Sequence, residues 1–323
     1  DKYGREFPAR AVNIVSSATF KRRDPLSLAR TAIRLGRGLL QAWRLIGRIR
    51  PKVVVGFGGY PTFPPLLAAQ LRGVPTVLHE QNAVMGRANR ALAARVTRIA
   101  LSFPAVSLVG DFAAKAVETG NPVRDMVISA ARVPYDPPAS DGEFRLLVFG
   151  GSQGARFFSE ILPAAVEALA PELKARLTVV AQARPEDLTA VRMGFERVGV
   201  RAEVEPFFID LPARIAASHL VACRSGASSV TELAVIGRPS ILVPLPGALD
   251  QDQAANAAHL ERAGGAWTIR QSELSSARLA EELTKAMTDP DQLAEAAAAA
   301  RAAGKPDAVA RLADLVEAVA ARR

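Results

Sequence analysis

The sequence of 323 residues is poor in cysteine, histidine and aromatic residues, with one cysteine, three histidines and 6% aromatics. The lone Cys223 excludes a disulfide framework and a paired-cysteine metal site, and it is typical of a reducing cytoplasm. No run of 18 uncharged apolar residues occurs, so no membrane-spanning helix is predicted. An initiator methionine is also lacking, and residues 1–5 resemble neither a signal peptide nor a helix start. We therefore expect the chain to begin inside a domain.

What the sequence does contain is ordinary for a folded protein, with 49% hydrophobic and 23% charged residues. Its length predicts two domains. The net charge of +9 is concentrated, because residues 21–52 hold ten basic residues and a single acid, Asp24. A local basic patch indicates a docking surface, whereas a diffuse basic coat is typical of general nucleic-acid binding.

Apolar runs rich in valine, isoleucine and leucine alternate with helical patterns, as in a parallel α/β sheet covered by helices on both faces. The runs predict strands at 53–57, 76–79, 98–101, 146–149, 177–181, 220–222 and 240–243. The helical patterns predict helices at 26–49, 64–72, 85–95, 155–170, 186–198, 211–218, 228–236 and 252–263. A stretch rich in turn residues at 121–143 separates two Rossmann-like domains.

Polar motifs follow the predicted strands in both halves of the chain. GFGGYP (56–61) and HEQN (79–82) lie in the first half, and GGSQGA (150–155) and CRSGASSVTE (223–232) lie in the second. Parallel α/β sheets place ligands at the carboxyl ends of strands. Two such domains, with a nucleotide bound to the second, account for all four positions.

The two motifs of the second half each allow two interpretations. A glycine-rich turn between a strand and a helix, as in GGSQGA, either cradles phosphate or is only a tight turn. In the other motif, Ser228 and Ser229 are placed to donate to phosphate oxygens, and Glu232 to accept from ribose hydroxyls. The structural alternative is a serine N-cap with a glutamate capping box.

Other candidate groups give weaker signals. Asp250-Gln251-Asp252 matches a metal-nucleotide signature, but its late position favours Asp252 and Gln253 as hydrogen-bond partners of sugar hydroxyls. We therefore predict no metal and no cofactor. His219 and His259 are interpreted as structural, and Cys223 as a small buried hydrophobe.

Taken in order, GFGGYP, LHEQN, GNPVR (120–124), FGGSQGAR, CRSGASSVTE and DQDQAANA resemble the MurG family from about residue 10 onward. The resemblance implies a GT-B fold, with an acceptor- and membrane-side domain at 1–124 that lacks its first βα unit. A UDP-GlcNAc-binding domain follows at 125–305, and a helix at 308–323 packs back onto the first domain. The implied reaction is inverting transfer of N-acetylglucosamine from UDP-GlcNAc to lipid I, the undecaprenyl-diphosphate-linked N-acetylmuramoyl pentapeptide, which gives lipid II in peptidoglycan synthesis.

The resemblance also implies roles for individual residues. Arg124 and Ile209 would frame the uracil, while Ser152, Ser228 and Ser229 would hold the diphosphate. Glu232 would bind the ribose, Gln253 with Asp252 the sugar, and Asn82 the reacting sugar from the first domain. The donor-binding segment is completed by Ala227, Val230 and Thr231.

One family feature is absent, a histidine-containing glycine-rich loop at the start, so the general base is unassigned and His79 and Glu80 are the remaining candidates. Family members dock on the cytoplasmic face of the bacterial inner membrane and work with other cell-wall synthesis proteins. Here the docking surface would lie on the helix at 26–49, whose arginines form one stripe and whose leucines and Trp43 lie on the opposite side. It would be formed by Arg30, Arg34, Arg37, Leu40, Trp43 and Arg44. The alternative is an ordinary amphipathic helix with its arginines in water.

Two other functions stay open from the sequence. A UDP-GlcNAc 2-epimerase would share the architecture and the donor, but it gives no reason for a basic helix. A nucleic-acid-binding protein would use residues 21–52, but no aromatic platform accompanies the arginines, so we predict no nucleic-acid partner.

Overall fold

The computed structural model describes residues 9–18, 25–150, 155–247 and 251–322, without the side chains of 25–27 and 155. It consists of two compact units. The first comprises the described residues up to Gln81 together with Met85–Glu118 and the chain from Arg311 onward. The second comprises Asn82–Val84 and Thr119–Ala310.

The first unit is built on a four-stranded parallel sheet in the order β1-β2-β3-β4. Its strands are β1 (Val54–Gly56), β2 (Thr76–Glu80), β3 (Arg98–Leu101) and β4 (Ala116–Glu118). Its helices are α1 (Pro25–Ile49), α2 (Gly59–Leu71) and α3 (Arg87–Ala93), and most of α13 (Ala308–Ala321) also belongs to it. Leu312 and Val319 of α13 pack with Val77 and Ala100 of the sheet.

The second unit has a six-stranded parallel sheet in the order β10-β9-β8-β5-β6-β7. Its strands are β5 (Phe144–Phe149), β6 (Leu177–Gln182), β7 (Arg201–Glu205), β8 (Leu220–Cys223), β9 (Ser240–Leu242) and β10 (Ala266–Thr268). Its helices are α4 (Asp125–Ala130), α5 (Ala155–Glu167), α6 (Pro171–Arg176), α7 (Leu188–Val198), α8 (Leu211–Ala217), α9 (Ala227–Ile236), α10 (Asp252–Arg262), α11 (Ser276–Thr288) and α12 (Pro290–Ala303).

The predicted fold class is confirmed, because both sheets are parallel and the seven predicted strands all form. Three strands were missed, namely β4, β7 and β10. β7 lies at the sheet edge and reads RAEVE, and only Val204 is buried, so it lacks the apolar run of a central strand.

Helix α2 begins five residues before its predicted start. Its first two turns contain three prolines, Pro61, Pro64 and Pro65, and the chain is already helical from Gly59. Gly58 caps it at φ 72°, and a Cβ there would lie 2.9 Å from Gln81 Oε1. The positive φ at this position therefore favours glycine.

Candidate functional site

The strand order of the second sheet reverses between β5 and β8, so neighbouring loops leave its carboxyl edge in opposite directions. Such a switch point is where open α/β sheets bind ligands. β5 leads into Gly150, and β8 leads into Arg224. The two glycine-containing motifs of the second half therefore lie side by side at this edge.

At the end of β5, Gly150 N donates to Gln182 Oε1 at 3.3 Å, which fixes the entry to the GGSQGA turn. The next described element is α5, so the predicted order of strand, turn and helix is present. Ser152, assigned to the diphosphate, lies outside the described residues.

At the end of β8, helix α9 begins at Ala227 with Gly226 as its N-cap and without a side-chain cap. The capping-box alternative is therefore wrong, since Ser228 and Ser229 are the second and third residues of the helix. The amides of a first helical turn have no preceding carbonyl of the helix to bond to, and the helix dipole favours an anion there.

The six residues predicted to bind the donor at 227–232 divide into two faces. Val230 is buried in the core, and Thr231 donates from Oγ1 to Ala227 O at 2.7 Å. Ser228 is exposed, and Ser229 and Glu232 are half-buried. Only the face with the serines and the glutamate can contact a ligand through its side chains.

Glu232 forms an ion pair with Arg124, with Nη2 and Oε1 3.1 Å apart. The glutamate side chain is 12% exposed and the arginine 58% exposed. Burial raises the pKa of Glu232, while Arg124 acts to lower it. Sequence reasoning assigned both residues to the nucleoside but did not predict that they bond to each other.

The start of α10 is fixed to the same edge by a set of hydrogen bonds. Ser225 Oγ donates to Gln253 O at 2.9 Å, and Gln253 Oε1 accepts from Leu245 N at 3.0 Å. Asp252 Oδ1 accepts from Gln253 N at 2.8 Å. The two residues predicted to bind the sugar therefore lie beside the α9 motif.

Asn82 was expected to act from the first domain, but the segment Asn82–Val84 belongs to the second unit. The fully buried Asn256 holds it there, donating from Nδ2 to Asn82 Oδ1 at 3.1 Å and accepting at Oδ1 from Ala83 N at 2.8 Å. Asn256 Nδ2 also donates to Ser225 O at 3.2 Å. Sequence reasoning missed Asn256, although it lies one turn after Gln253 in the same motif.

Arg224 is a second residue that sequence reasoning missed. It is buried at the end of β8 against the rings of Phe157 and Phe158, and donates from Nη2 to Gln271 Oε1 at 2.6 Å. Its Nη1 donates to Val243 O at 3.2 Å. The arginine thus joins β8, β9 and α5 at the carboxyl edge of the sheet.

Ile209, predicted at the uracil, is 79% exposed in the turn between β7 and α8. Phe208 beside it is buried under Arg214, whose guanidinium carbon is 4.3 Å from the ring centroid. The buried Phe208 therefore fixes the turn, and the side chain of Ile209 is exposed to solvent.

In the first unit, the two candidate bases are buried at the end of β2. Glu80 Oε2 accepts from Gly86 N at 2.9 Å and from Asn89 Nδ2 at 2.7 Å. The His79 ring packs against Phe57 with centroids 5.6 Å apart. Glu80 thus fixes the start of α3, and His79 packs against the GFGGYP motif.

Cys223 and His219 have the structural surroundings that were predicted. Cys223 is fully buried, and burial raises the pKa of its thiol. His219 Nδ1 accepts from Arg145 N at 3.0 Å, and burial lowers the pKa of the imidazole to about 4. Within the described ranges, no group of three or more histidine, cysteine or acidic side chains could hold a metal ion.

Helix α1 uses only part of its apolar face to pack. Ala42 and Ile46 are buried against Ala68 and Ala69 of α2. The five arginines that form its stripe are all exposed: Arg30, Arg34, Arg37, Arg44 and Arg48.

Apolar side chains accompany the arginines on the surface. Leu28, Ile33, Leu40 and Trp43 are 40%, 71%, 50% and 36% exposed. Leu28 and Leu40 were placed on the side opposite the arginines, but the core takes up only a narrower stripe of the helix. Trp43 is covered on one side by Arg72, whose guanidinium carbon is 4.2 Å from the ring centroid. No helix in the described part of the chain has both the length and the apolar character to cross a bilayer.

Comparison with known proteins identifies the family. Models of the glycosyltransferase family 28 N-terminal and C-terminal domains match residues 5–101 and 145–312. The chain is 57% identical to the UDP-N-acetylglucosamine--N-acetylmuramyl-(pentapeptide) pyrophosphoryl-undecaprenol N-acetylglucosamine transferase of Chelativorans sp. (strain BNC1), over 99% of this chain and 85% of that protein. It is 56% identical to the enzyme of the same name from Brucella abortus (strain S19), over 96% and 81%. The chain belongs to the MurG family.

Solved structures agree with this assignment. MurG of Acinetobacter baumannii matches with a TM-score of 0.77 and 28% identity, over 97% of this chain and 86% of that one. The GT-B expectation is thereby confirmed. A UDP-GlcNAc 2-epimerase from Neisseria meningitidis matches with a TM-score of 0.62 and 13% identity, over 91% and 84%, which shows a common fold alone.

Proposed function

We propose that this chain transfers N-acetylglucosamine from UDP-GlcNAc to the undecaprenyl-diphosphate-linked N-acetylmuramoyl pentapeptide. The observation that carries the proposal is the set of MurG-type motifs gathered at the switch point of the second sheet. They provide an amide-rich helix start, serine hydroxyls and a glutamate on one face of α9. The relatives named above carry this activity in their names.

The donor binds along the carboxyl edge of the second sheet. The diphosphate lies at the start of α9, at Ser228 and Ser229, where amides and hydroxyls donate. Glu232 accepts from the ribose hydroxyls. Burial raises the pKa of its carboxyl, and the ion pair with Arg124 acts against that rise. Ile209 contacts the uracil with its exposed side chain.

The remaining donor contacts come from two segments that Asn256 joins. Gln253 and Asp252 at the start of α10 bind the sugar, and Asn82 approaches it from the segment that Asn256 holds. Ser152 of the GGSQGA turn completes the diphosphate site in this proposal.

In the reaction, an acceptor hydroxyl oxygen attacks the anomeric carbon from the face opposite the diphosphate. The bond from that carbon to the diphosphate oxygen breaks, the bonding electrons leave with UDP, and the hydroxyl proton passes to a base. Preorganised donors at the start of α9 stabilise the charge that develops on the departing diphosphate. His79 and Glu80 are engaged in packing and hydrogen bonds, so neither is proposed as the base.

The acceptor lies in a bilayer, so we also propose that the protein docks on the cytoplasmic face of the inner membrane through α1. The exposed arginines attract anionic lipid, each contributing about 1 kcal/mol near the surface. Leu40 and Trp43 lie among or beside them and insert at the interface.

A transfer assay tests this proposal. The chain is incubated with UDP-GlcNAc and lipid I in anionic vesicles, and UDP release is measured together with the disaccharide-linked lipid. We expect UDP to form in proportion to the lipid product and only when lipid I is present. Formation of the 2-epimer of the donor without lipid I would instead identify an isomerase, and failure to bind UDP would contradict both.

A further inference from the structure

An apolar cavity of about 510 Å³ lies in the first unit. Three helices form its walls. Its lining includes Leu35 of α1, Tyr60 and Phe63 of α2, and Arg87, Ala88 and Ala91 of α3. Its size is within the range of about 300–1,000 Å³ found for small-ligand sites.

The walls of this cavity are fixed by specific contacts. Ser17 Oγ donates to Tyr60 O at 2.9 Å, which ties the start of α2 to the segment before α1. A Cβ on Gly38 of α1 would lie 1.8 Å from Ser16 O, so only glycine lets the helix approach this segment. On the third side, Glu80 holds Gly86 at the start of α3. The cavity is therefore a property of the fold and does not depend on side-chain rotamers alone.

The lining of the cavity is almost entirely apolar. Aliphatic and aromatic groups form nearly all of it, and Arg87 is the only charged side chain among its described lining residues. A ligand that suits this surface has a hydrocarbon chain and an anionic group at one end. A nucleotide or a free sugar has too much polar surface to leave water for such a site.

We propose that this cavity binds the isoprenoid units next to the diphosphate of the lipid acceptor, with Arg87 facing the diphosphate. The inference rests on the proposed function and adds a location for the acceptor's lipid. Leu35 follows Arg34 directly in α1, so the cavity adjoins the helix that we propose lies on the membrane. An isoprenoid chain can therefore pass from the bilayer into the cavity over a short distance.

Binding of short polyprenyl diphosphates tests this inference. Geranyl, farnesyl and geranylgeranyl diphosphate are titrated into the full chain by equilibrium dialysis, with inorganic pyrophosphate and farnesol as references. We expect affinity to rise at least about tenfold for each isoprene unit that is buried. Arg87→Gln should weaken farnesyl diphosphate about tenfold and leave farnesol unchanged.

Ala91 of α3 and Ala94, the C-cap of the same helix, provide a matched pair of variants. Ala91→Phe fills the cavity and should weaken farnesyl diphosphate at least tenfold. Ala94→Phe adds the same side chain at an exposed position outside the lining and should have no effect. If Ala91→Phe unfolds, the chain-length series and Arg87→Gln still decide the question.

Equal affinity for the three diphosphates, or equal losses in the two phenylalanine variants, would overturn the inference. UDP affinity is measured in every sample. If UDP binds normally but affinity for the diphosphates does not depend on chain length, only the proposed lipid site is contradicted. If the parent chain does not bind UDP, the proposed function is contradicted.

Discussion

The two units use arginine in opposite ways. In the first unit, the arginine stripe of α1 is exposed and surrounded by exposed apolar side chains. In the second unit, Arg238 is 1% exposed and donates to backbone carbonyls of Val133, Pro134, Ala216, Ile236 and Gly237. Burial lowers its pKa to about 10.

The difference teaches what each environment does with the same side chain. In water, a guanidinium acts through its charge, which is additive over several residues and screened by salt. In a core, it acts through five N–H donors in a fixed geometry. When the arginine is replaced, each buried carbonyl that it bonded to is left without a donor. Arg224 follows the second pattern at the donor-binding edge.

The strongest test removes the buried arginine. Arg238→Met should lower the free energy of unfolding by about 3–5 kcal/mol, because several buried carbonyls lose their donor. Arg197→Met is the control, since that exposed arginine only pairs with Glu167 and should change stability by less than about 1 kcal/mol. Urea unfolding followed by circular dichroism measures both, and similar small losses would contradict the contrast.

The next largest effect concerns the exposed stripe. Neutralising Arg34, Arg37 and Arg44 to glutamine should weaken binding to anionic vesicles by about 3 kcal/mol. The same substitutions should leave the free energy of unfolding nearly unchanged. Cosedimentation at low and high salt measures the binding, with neutral vesicles and an Arg156→Gln, Arg184→Gln, Arg278→Gln variant as controls. Equal binding of the parent chain to both vesicle types would mean that the arginines are only solvated.

The third test concerns the Glu232 carboxylate, which we expect to contribute to UDP binding through hydrogen bonds to the ribose. Glu232→Ala should weaken UDP binding by about 1–3 kcal/mol, the scale for hydrogen bonds to a charged group. Glu205→Ala, on β7, is the control and should bind UDP normally. Titration calorimetry that finds the same affinity for the parent and the Glu232 variant would refute the ribose assignment.

The smallest expected effect is a pH dependence from His219. Its pKa is about 4 in the folded chain and 6.5 in the unfolded chain, so below pH 6.5 the unfolded chain takes up a proton that the folded chain does not. Stability should therefore fall between pH 6.5 and 4, by about 2 kcal/mol at pH 5.

Unfolding at pH 7 and pH 5 measures this contribution. His219→Gln should lose it, and His259→Gln should retain it. A parent and a His219 variant with the same difference between the two pH values would show that the buried imidazole is not responsible.

The local pattern was sufficient to predict most elements of the fold. Apolar runs and helical periodicity predicted the central strands, because a buried strand must be apolar along its whole length. The strands that were not predicted, such as Arg201–Glu205, lie at the edges of their sheets, where a neighbouring strand is present on one side only. Their pairing depends on the rest of the sheet.

The sequence alone determined the family motifs and the order of strand, turn and helix that presents them. Tertiary structure decided which side chains reach the site, since an α-helix turns every residue of a motif to a different side. It buried Val230 and exposed Ser228, paired Arg124 with Glu232 across 108 positions of sequence, and moved Asn82 into the second unit. These outcomes depend on contacts between segments far apart in the chain, and no local pattern contains them.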